Sequence, residues 1–245
     1  MTEIVPPAEA FYRTLESSWP AAARYTCDGW IIREGRGGGK RVSAATAATP
    51  DGRRLPDIGA AEDEMGRLGQ RPLFMVRQGE AGLDDALRDR GYEIVDPVTF
   101  YSGNPGELAI GEPNGPDAVF GDLPLAIQER IWAEGGIGPS RLAVMKRVNG
   151  ARTWILGRKD DRPAGTVFVA IHDGIAMVHA LYVRPRFREK GLGRQLMAAA
   201  AGWSCRRSAR FLTLSVTRAN MTAGKLYRSL GMIQGGNYHY RMRPG

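Results

Sequence analysis

The chain has 245 residues, a formal net charge of +8 and two cysteines, Cys27 and Cys205. Its 43% hydrophobic and 24% charged residues are those of a globular protein with one large domain or two small ones, and two cysteines argue against a disulfide framework. With no leader-like segment, no apolar run of membrane-span length and no basic helix carrying interleaved aromatics, a cytoplasmic protein is expected, with neither a membrane nor a nucleic acid as partner. The basic balance suits a strongly anionic cofactor instead.

Ala8 to Ser18 is expected to be a helix. Trp30-Ile31-Ile32-Arg33 and Lys40-Arg41-Val42-Ser43 read as two strands of a hairpin. The tip between them, Glu34 to Gly39, is basic and glycine-rich, but no helix follows to supply a dipole, so a flexible turn is expected there. Asp57 to Leu68 predicts a helix, Pro72 to Arg77 a strand, Leu83 to Arg90 a helix ended by Gly91, and Tyr92 to Tyr101 a strand. Glycine and proline then cluster between 102 and 116, where a domain boundary is expected. Leu123 to Glu134 and Ser140 to Val148 have helical periodicity, broken by Gly135-Gly136. Thr153 to Leu156, Thr166 to Ile171 and Ile175 to Val183 read as three strands, the last two joined by the hairpin signal His172-Asp173-Gly174.

The stretch after Val183 is the most informative. A strand feeds Arg184-Pro185-Arg186-Phe187-Arg188-Glu189-Lys190, and Gly191 and Gly193 open a helix running to about Ser208. Backbone N–H groups and the positive end of the dipole converge at such a helix start, which favours phosphate. Arg188, Lys190 and Arg194 add positive charge. The third glycine of a dinucleotide fingerprint is missing, and so is the Gly-Lys-Ser/Thr of a P-loop. Downstream, Phe211 to Val216 reads as a buried strand and Thr217 to Ala219 as a break. A helix from Asn220 carries Ala223, Leu226, Tyr227 and Leu230 to Gly231, and Met232 to Met242 suits a closing strand. Cys205 falls on the earlier helix and reads as a reduced, semi-buried small residue, and no Cys/His/Asp cluster has metal-ligand spacing.

Arg188-Glu189-Lys190-Gly191-Leu192-Gly193 after a strand resembles the acyl-CoA pyrophosphate loop of the GCN5-related N-acetyltransferases, the GNAT superfamily. Asn220 to Met232 matches that family's Asn-x-x-Ala-x-x-Leu-Tyr-x-x-x-Gly-(Phe/Met) pattern at every defined position. The resemblance covers roughly Phe120 to Arg243. It implies an α/β (α+β) fold in which a central, mostly antiparallel mixed sheet is flanked by helices, with acyl-CoA lying where two central strands splay. Met75-Val76-Arg77 followed by Leu83 to Tyr92 resembles the back half of such a domain without its cofactor loop. The chain as a whole therefore resembles the tandem GNAT proteins, with a smaller degenerate GNAT-like N-terminal domain at 1–103, a linker at 104–116 and a catalytic domain at 117–245.

What the resemblance implies for chemistry is an N-acetyltransferase using acetyl-CoA, with transfer by direct attack of a primary amine. Pyrophosphate would lie on Arg188, Glu189, Lys190, Gly191, Leu192, Gly193 and Arg194, and the pantetheine arm along Leu181, Tyr182 and Val183. An N–H near Tyr182 or Val183 would face the thioester carbonyl. Tyr227 would be the general acid toward the thiolate, with a core aromatic as the bland alternative. Asn220 reads both as helix N-cap and as a pantetheine partner. His179 would be the base, since alternation puts Val183, Leu181, His179 and Met177 on one face; a buried, hydrogen-bonded histidine is the competing reading. The acceptor is expected to be a small-molecule amine, with a peptide N-terminus as the second choice and a non-catalytic CoA-binding module as the third. Glu129, Trp132 and Glu134 stand as acceptor-pocket candidates or as an exposed helix face, and a homodimer is left open.

Overall fold

The computed structural model describes residues 5–49, 55–113 and 117–244. In chain order its elements are α1 (Ala8–Ser18), β1 (Ala23–Cys27), β2 (Trp30–Glu34), β3 (Thr46–Ala47), α2 (Ile58–Arg67), β4 (Leu73–Arg77), α3 (Ala81–Asp89), β5 (Glu93–Gly103) and α4 (Pro105–Leu108). There follow β6 (Ala118–Gly121), α5 (Ala126–Glu134), α6 (Pro139–Lys146), β7 (Arg152–Lys159), β8 (Arg162–His172), β9 (Ile175–Val183), α7 (Leu192–Cys205), β10 (Phe211–Thr217), α8 (Met221–Ser229) and β11 (Ile233–Met242). Eight strands form one sheet in the order β4-β11-β5-β10-β9-β8-β7-β6, and β1-β2-β3 form a small second sheet. Within the large sheet β9 and β10 run parallel, as the helical crossover α7 between them requires, and the other neighbours are antiparallel. This is the mixed, helix-flanked sheet the motifs imply.

Turn chemistry sets the hairpins. Asp28-Gly29, Asp160-Asp161 and Asp173-Gly174 each link two strands with both residues at positive φ, the geometry that matches the twist of the flanking strands. The first of these joins β1 to β2, so a hairpin signal stood in the sequence beside the unexpected strand β1. The expected strand at Lys40 to Ser43 is instead a short 3₁₀ turn, Lys40–Val42, and β2 pairs with β1 and β3. The glycines before it are not a free tip. A Cβ on Gly38 would lie 2.6 Å from Val144 Cγ2 and 2.8 Å from Val42 Cγ2, so this segment lies flush against α6. Strands β3 and β6 and the short helix α4 were also not expected; each is too short to show a period.

The N-terminal half is built into the sheet of the motif-bearing half. Strand β5 pairs with β10 from Leu212↔Gly103 to Thr217↔Val98 and with β11 from Ile233↔Ser102 to Met242↔Glu93, and β11 also pairs with β4. The expected linker is packed where it is described. Leu108 of α4 is buried, and Glu112 receives both guanidinium nitrogens of Arg206 at 3.0 Å. Its last three residues, 114–116, lie outside the described ones. One core fills the space between the sheet and α7, with Leu196, Ala199, Val167, Leu212 and Tyr227; another lies under α1, with Phe11, Phe100, Met177 and Tyr238. Phe11 and Phe100 are fully buried, each contributing about 1.5–3 kcal/mol by transfer out of water. Among the described residues no helix is long and apolar enough to cross a membrane.

Candidate active site

Strands β9 and β10 pair only from Phe211↔Ile175 to Leu214↔Val178. Beyond that point β10 continues on β5 through Ser215, Val216 and Thr217, and β9 continues on β8, so a gap opens between them. A β-bulge sits at the mouth of the gap. The β8 register steps from Phe168↔His179 to Thr166↔Tyr182, and Ala180 takes φ +52°. A left-handed alanine costs on the order of 1 kcal/mol, and the indole of Trp132 holds it by donating from Nε1 to the Ala180 carbonyl at 2.7 Å. The bulge overturns the expected alternation. Leu181 and Val183 pack on the α7 core, whereas Met177 belongs to the α1 core and His179 stacks near Trp19 and Phe168. One extra residue in a strand moves everything after it to the other face.

After β9, Phe187 anchors a short turn in the core, Glu189 and Gly191 take φ +60° and +80°, and α7 begins at Leu192. Successive residues of opposite handedness before a helix N-terminus turn N–H groups toward one point, the arrangement that receives an anion. The side-chain charges are deployed differently from the sequence expectation. Arg188 Nε donates to the Val183 carbonyl at 3.1 Å with its guanidinium over the Tyr182 ring, and Arg194 Nη2 donates to Ser229 Oγ at 2.9 Å. Lys190 has no ion-pair partner among the described residues. Gly193 serves helix packing, since a Cβ there would lie 3.2 Å from Leu226 Cδ2 of α8. Gly191 serves conformation, since a Cβ there would meet nothing within 4 Å but would sit at positive φ.

Asn220 caps α8, its side-chain oxygen accepting from Ala223 N at 3.1 Å. One turn on, Tyr227 is buried with its ring 5.7 Å from that of Tyr101 on β5. Burial pushes its phenol up to about 12. Its hydroxyl has no hydrogen-bond partner among the described residues. Arg228 Nη1, next in the chain, donates to Tyr101 Oη at 3.1 Å and ties the helix to the N-terminal half's strand.

His179 is buried and fully engaged. Ser18 Oγ donates to the Thr14 carbonyl at 2.5 Å, so toward His179 Nε2, 2.8 Å away, it accepts. On the other side of the ring Arg41 Nη1 lies 3.3 Å from Nδ1, where the guanidinium donates. The network assigns the neutral tautomer with its proton on Nε2. Burial first, and the Arg41 charge second, hold the imidazole well below its ordinary value of 6.5. Below that value the unfolded chain binds a proton that the folded one refuses, so stability should fall with pH by up to about 1.4 kcal/mol per unit. Denaturant unfolding of wild type and His179→Gln, compared at about pH 7.5 and about pH 5.5, checks this. The variant should show the smaller loss on acidification, and equal losses would mean that the buried ring is charged.

On the His179 side of the gap is a cavity of about 270 Å³ bounded by Ala180 on β9, Thr217 on β10, Trp19, the Gly38–Arg41 segment, Arg141 and Tyr238. The gap thus has a phosphate-type loop and a protonated phenol on the α7–α8 side and, on the other, an open chamber lined by Lys40, Arg41 and Arg141.

Residues 126–232 match the sequence model of the acetyltransferase (GNAT) family. This stretch is what the chain shares with the GNAT acetyltransferases. The chain is 25% identical over 248 residues to the uncharacterized N-acetyltransferase YobR of Bacillus subtilis, covering 94% of this chain and 96% of that protein. It shares its fold with a GCN5-related N-acetyltransferase from Kribbella flavida (TM-score 0.69, 21% identity, 97% of this chain and 96% of that one). It also shares it with a tandem GNAT protein from the clavulanic acid biosynthesis pathway (TM-score 0.59, 16% identity, 81% and 74%).

Several expected residues have other work. Glu134 pairs with Arg184 (2.7 Å) and Glu129 with Lys146 (3.1 Å), while Trp132 is core and holds the bulge. Gly135 is where α5 clears the Tyr182 ring; a Cβ there would lie 2.5 Å from Tyr182 Cδ2. Cys205 is exposed at the end of α7, not semi-buried. Residues that sequence reasoning passed over are Ser18, Trp19, Arg41 and Tyr101, all from the N-terminal half and none part of a motif.

Proposed function

We propose that this acetyltransferase transfers the acetyl group of acetyl-CoA directly to a primary amine of a small molecule. The observation that carries the reading is the gap beyond Val178 and Leu214, with the Gly191 loop and Tyr227 on one side of the sheet and a chamber on the other. The residues present fit the donor: N–H groups around Glu189 to Gly193 would take the pyrophosphate, and the unpaired edge of Leu181 to Val183 would pair with the pantetheine arm as an added strand would. When bound, acetyl-CoA supplies an activated acetyl group as a thioester. A main-chain N–H at Tyr182 or Val183 polarises the carbonyl. As the carbon–sulfur bond breaks, Tyr227 would give its proton to the sulfur, the attacking nitrogen would lose one proton to solvent, and solvent would restore the phenol, which burial holds protonated at physiological pH.

We assign His179 a positioning role instead of that of base. Its Nδ1 lone pair already accepts from Arg41, and its Nε2 proton goes to Ser18. The N-terminal half, which we read as a second acetyltransferase-like unit lacking a cofactor loop, walls one side of the chamber through the glycine segment laid on α6. That wall narrows the acceptor side and favours a small acceptor over a peptide N-terminus. A reaction that consumes acetyl-CoA belongs where that donor is made, so the same reading assigns the enzyme to the cytoplasm.

Calorimetric titration with acetyl-CoA, followed by acceptor-dependent thiol release over a panel of amines and peptides, tests this. Saturable binding with release on small amines supports it. Release on peptides alone would replace the acceptor, binding without any release would leave a CoA-binding module, and no binding by folded protein would sink the catalytic reading.

A further inference from the structure

The chamber behind the gap has an electrostatic character that acetyl transfer does not explain. Arg41 is half-buried, yet no carboxylate lies within ion-pair distance of it among the described residues. One guanidinium N–H goes to His179 Nδ1 (3.3 Å), and one face lies 5.9 Å from the Trp19 ring centre. Arg141, reaching in from α6, likewise has no ion-pair partner among the described residues. Lys40 is the third cation, and the chamber's one carboxylate, Asp96, is already paired to it at 2.9 Å. Tyr238 and Tyr240 bring their hydroxyls close to Arg41, and that of Tyr238 is buried without a well-formed hydrogen bond among the described residues. Tyr238 is 1% exposed, so solvent does not satisfy that group.

A half-buried guanidinium with no carboxylate partner among the described residues, and a buried hydroxyl without a well-formed hydrogen bond, each cost free energy that an incoming anion would recover. The guanidinium fork matches the two oxygens of a carboxylate or phosphate. His179 fits the same purpose: a neutral ring nitrogen accepts one Arg41 proton without neutralising the charge, and so orients the remaining donors. From Ala180 on one strand to Thr217 on the next, the chamber opens onto the gap where the acetyl group would arrive.

We propose that this chamber is the acceptor site and that it selects amines carrying an anionic group, a carboxylate or a phosphate, held by Arg41, Arg141 and the Tyr238 hydroxyl. The proposal rests on the acetyl-transfer reading above and names the substrate class for it. The phosphates of the donor are not the ligand meant here, since their loop lies on the opposite face of the sheet with α7 and α8.

The test uses the full chain with CoA or acetyl-CoA at saturation, so that the Gly191 loop is filled. Amines are offered in pairs that differ only in the anion: free α-amino acids against their carboxamides, and glucosamine 6-phosphate against glucosamine. The anionic member of at least one pair should bind by calorimetry and be acetylated with kcat/KM at least tenfold above its neutral partner, and the pair that responds tells carboxylate from phosphate. Arg141→Gln, on an exposed and unpaired side chain that folding does not need, should remove most of that preference with an unchanged Tm. Arg41→Gln should do the same, with Tm measured alongside because it also leaves the His179 ring without its donor. Equal kcat/KM for both members of every pair would overturn the proposal while acetyl transfer stands. Anion binding that Arg141→Gln abolishes, without acetylation of any amine, would uphold the anion site and overturn acetyl transfer. Neither binding nor acetylation of any anionic amine would overturn the proposal, and the acetyl-CoA titration then judges the cofactor site separately.

Discussion

Gly191→Glu is expected to weaken acetyl-CoA binding at least 100-fold, about 2.7 kcal/mol, while the protein stays folded. Gly191 precedes α7 at φ +80° and ψ −6°, and a Cβ there would meet no atom within 4 Å. The folded state therefore bears only left-handed backbone strain, on the order of 1 kcal/mol, and no clash. The damage is electrostatic. A carboxylate would stand at the point where N–H groups and the positive helix end converge, and it would repel the phosphates they are meant to receive. Gly191→Ala carries the same strain without the charge and should lose less than tenfold. Calorimetry with acetyl-CoA and a melting curve for each variant separate the two effects. Binding by the glutamate variant within threefold of wild type would remove this loop from the cofactor site.

Tyr227→Phe is expected to lower kcat by about 10²–10⁴ with acetyl-CoA affinity nearly unchanged. Phenylalanine keeps the ring packed in the α7 core and against Tyr101 and removes a hydroxyl that no described residue bonds, so melting should not suffer. The pH profile supplies a second reading. The acid works protonated, and burial raises its pKa from 10 to about 12, so the working form persists to higher pH than an exposed phenol would allow. Wild-type kcat should therefore show no loss assignable to this group through pH 10, where an ordinary phenol is half ionised. Full kcat in the phenylalanine variant would end the acid assignment and leave Tyr227 as a core aromatic.

The two arginines of the loop show where local reading stops. Arg188 and Arg194 stand beside the glycines in sequence, and positive charge near a phosphate site is a sound expectation. In the folded chain Arg194 is held by Ser229, 35 residues on, and Arg188 turns back to Val183. Proximity in sequence located the loop, but competition among distant acceptors decided what each side chain does.

What this sequence determines alone is whatever depends on neighbours a few residues apart. Helical and alternating periods located α1, α2, β4, α3, β5, α7, β10 and α8 nearly to their ends, because each reports the burial of one face of a single element. Asp173-Gly174 located the β8–β9 hairpin, the glycine pair located the start of α7, and Asn220 located the α8 cap. Tertiary structure decided everything that required two distant segments to meet. The bulge at Ala180 breaks an alternation that the residues of β9 alone would have kept, and it does so under a bond from Trp132, 48 residues earlier. His179 reads as a base until Ser18, 161 residues away, and Arg41, 138 residues away, occupy both of its nitrogens. The same docking of the N-terminal half shapes the chamber and leaves Arg41 without a carboxylate partner among the described residues, so the acceptor class proposed above rests on both halves of the chain. No period or motif encodes such a meeting, because it follows from how separate faces pack and which polar groups that packing strips of water.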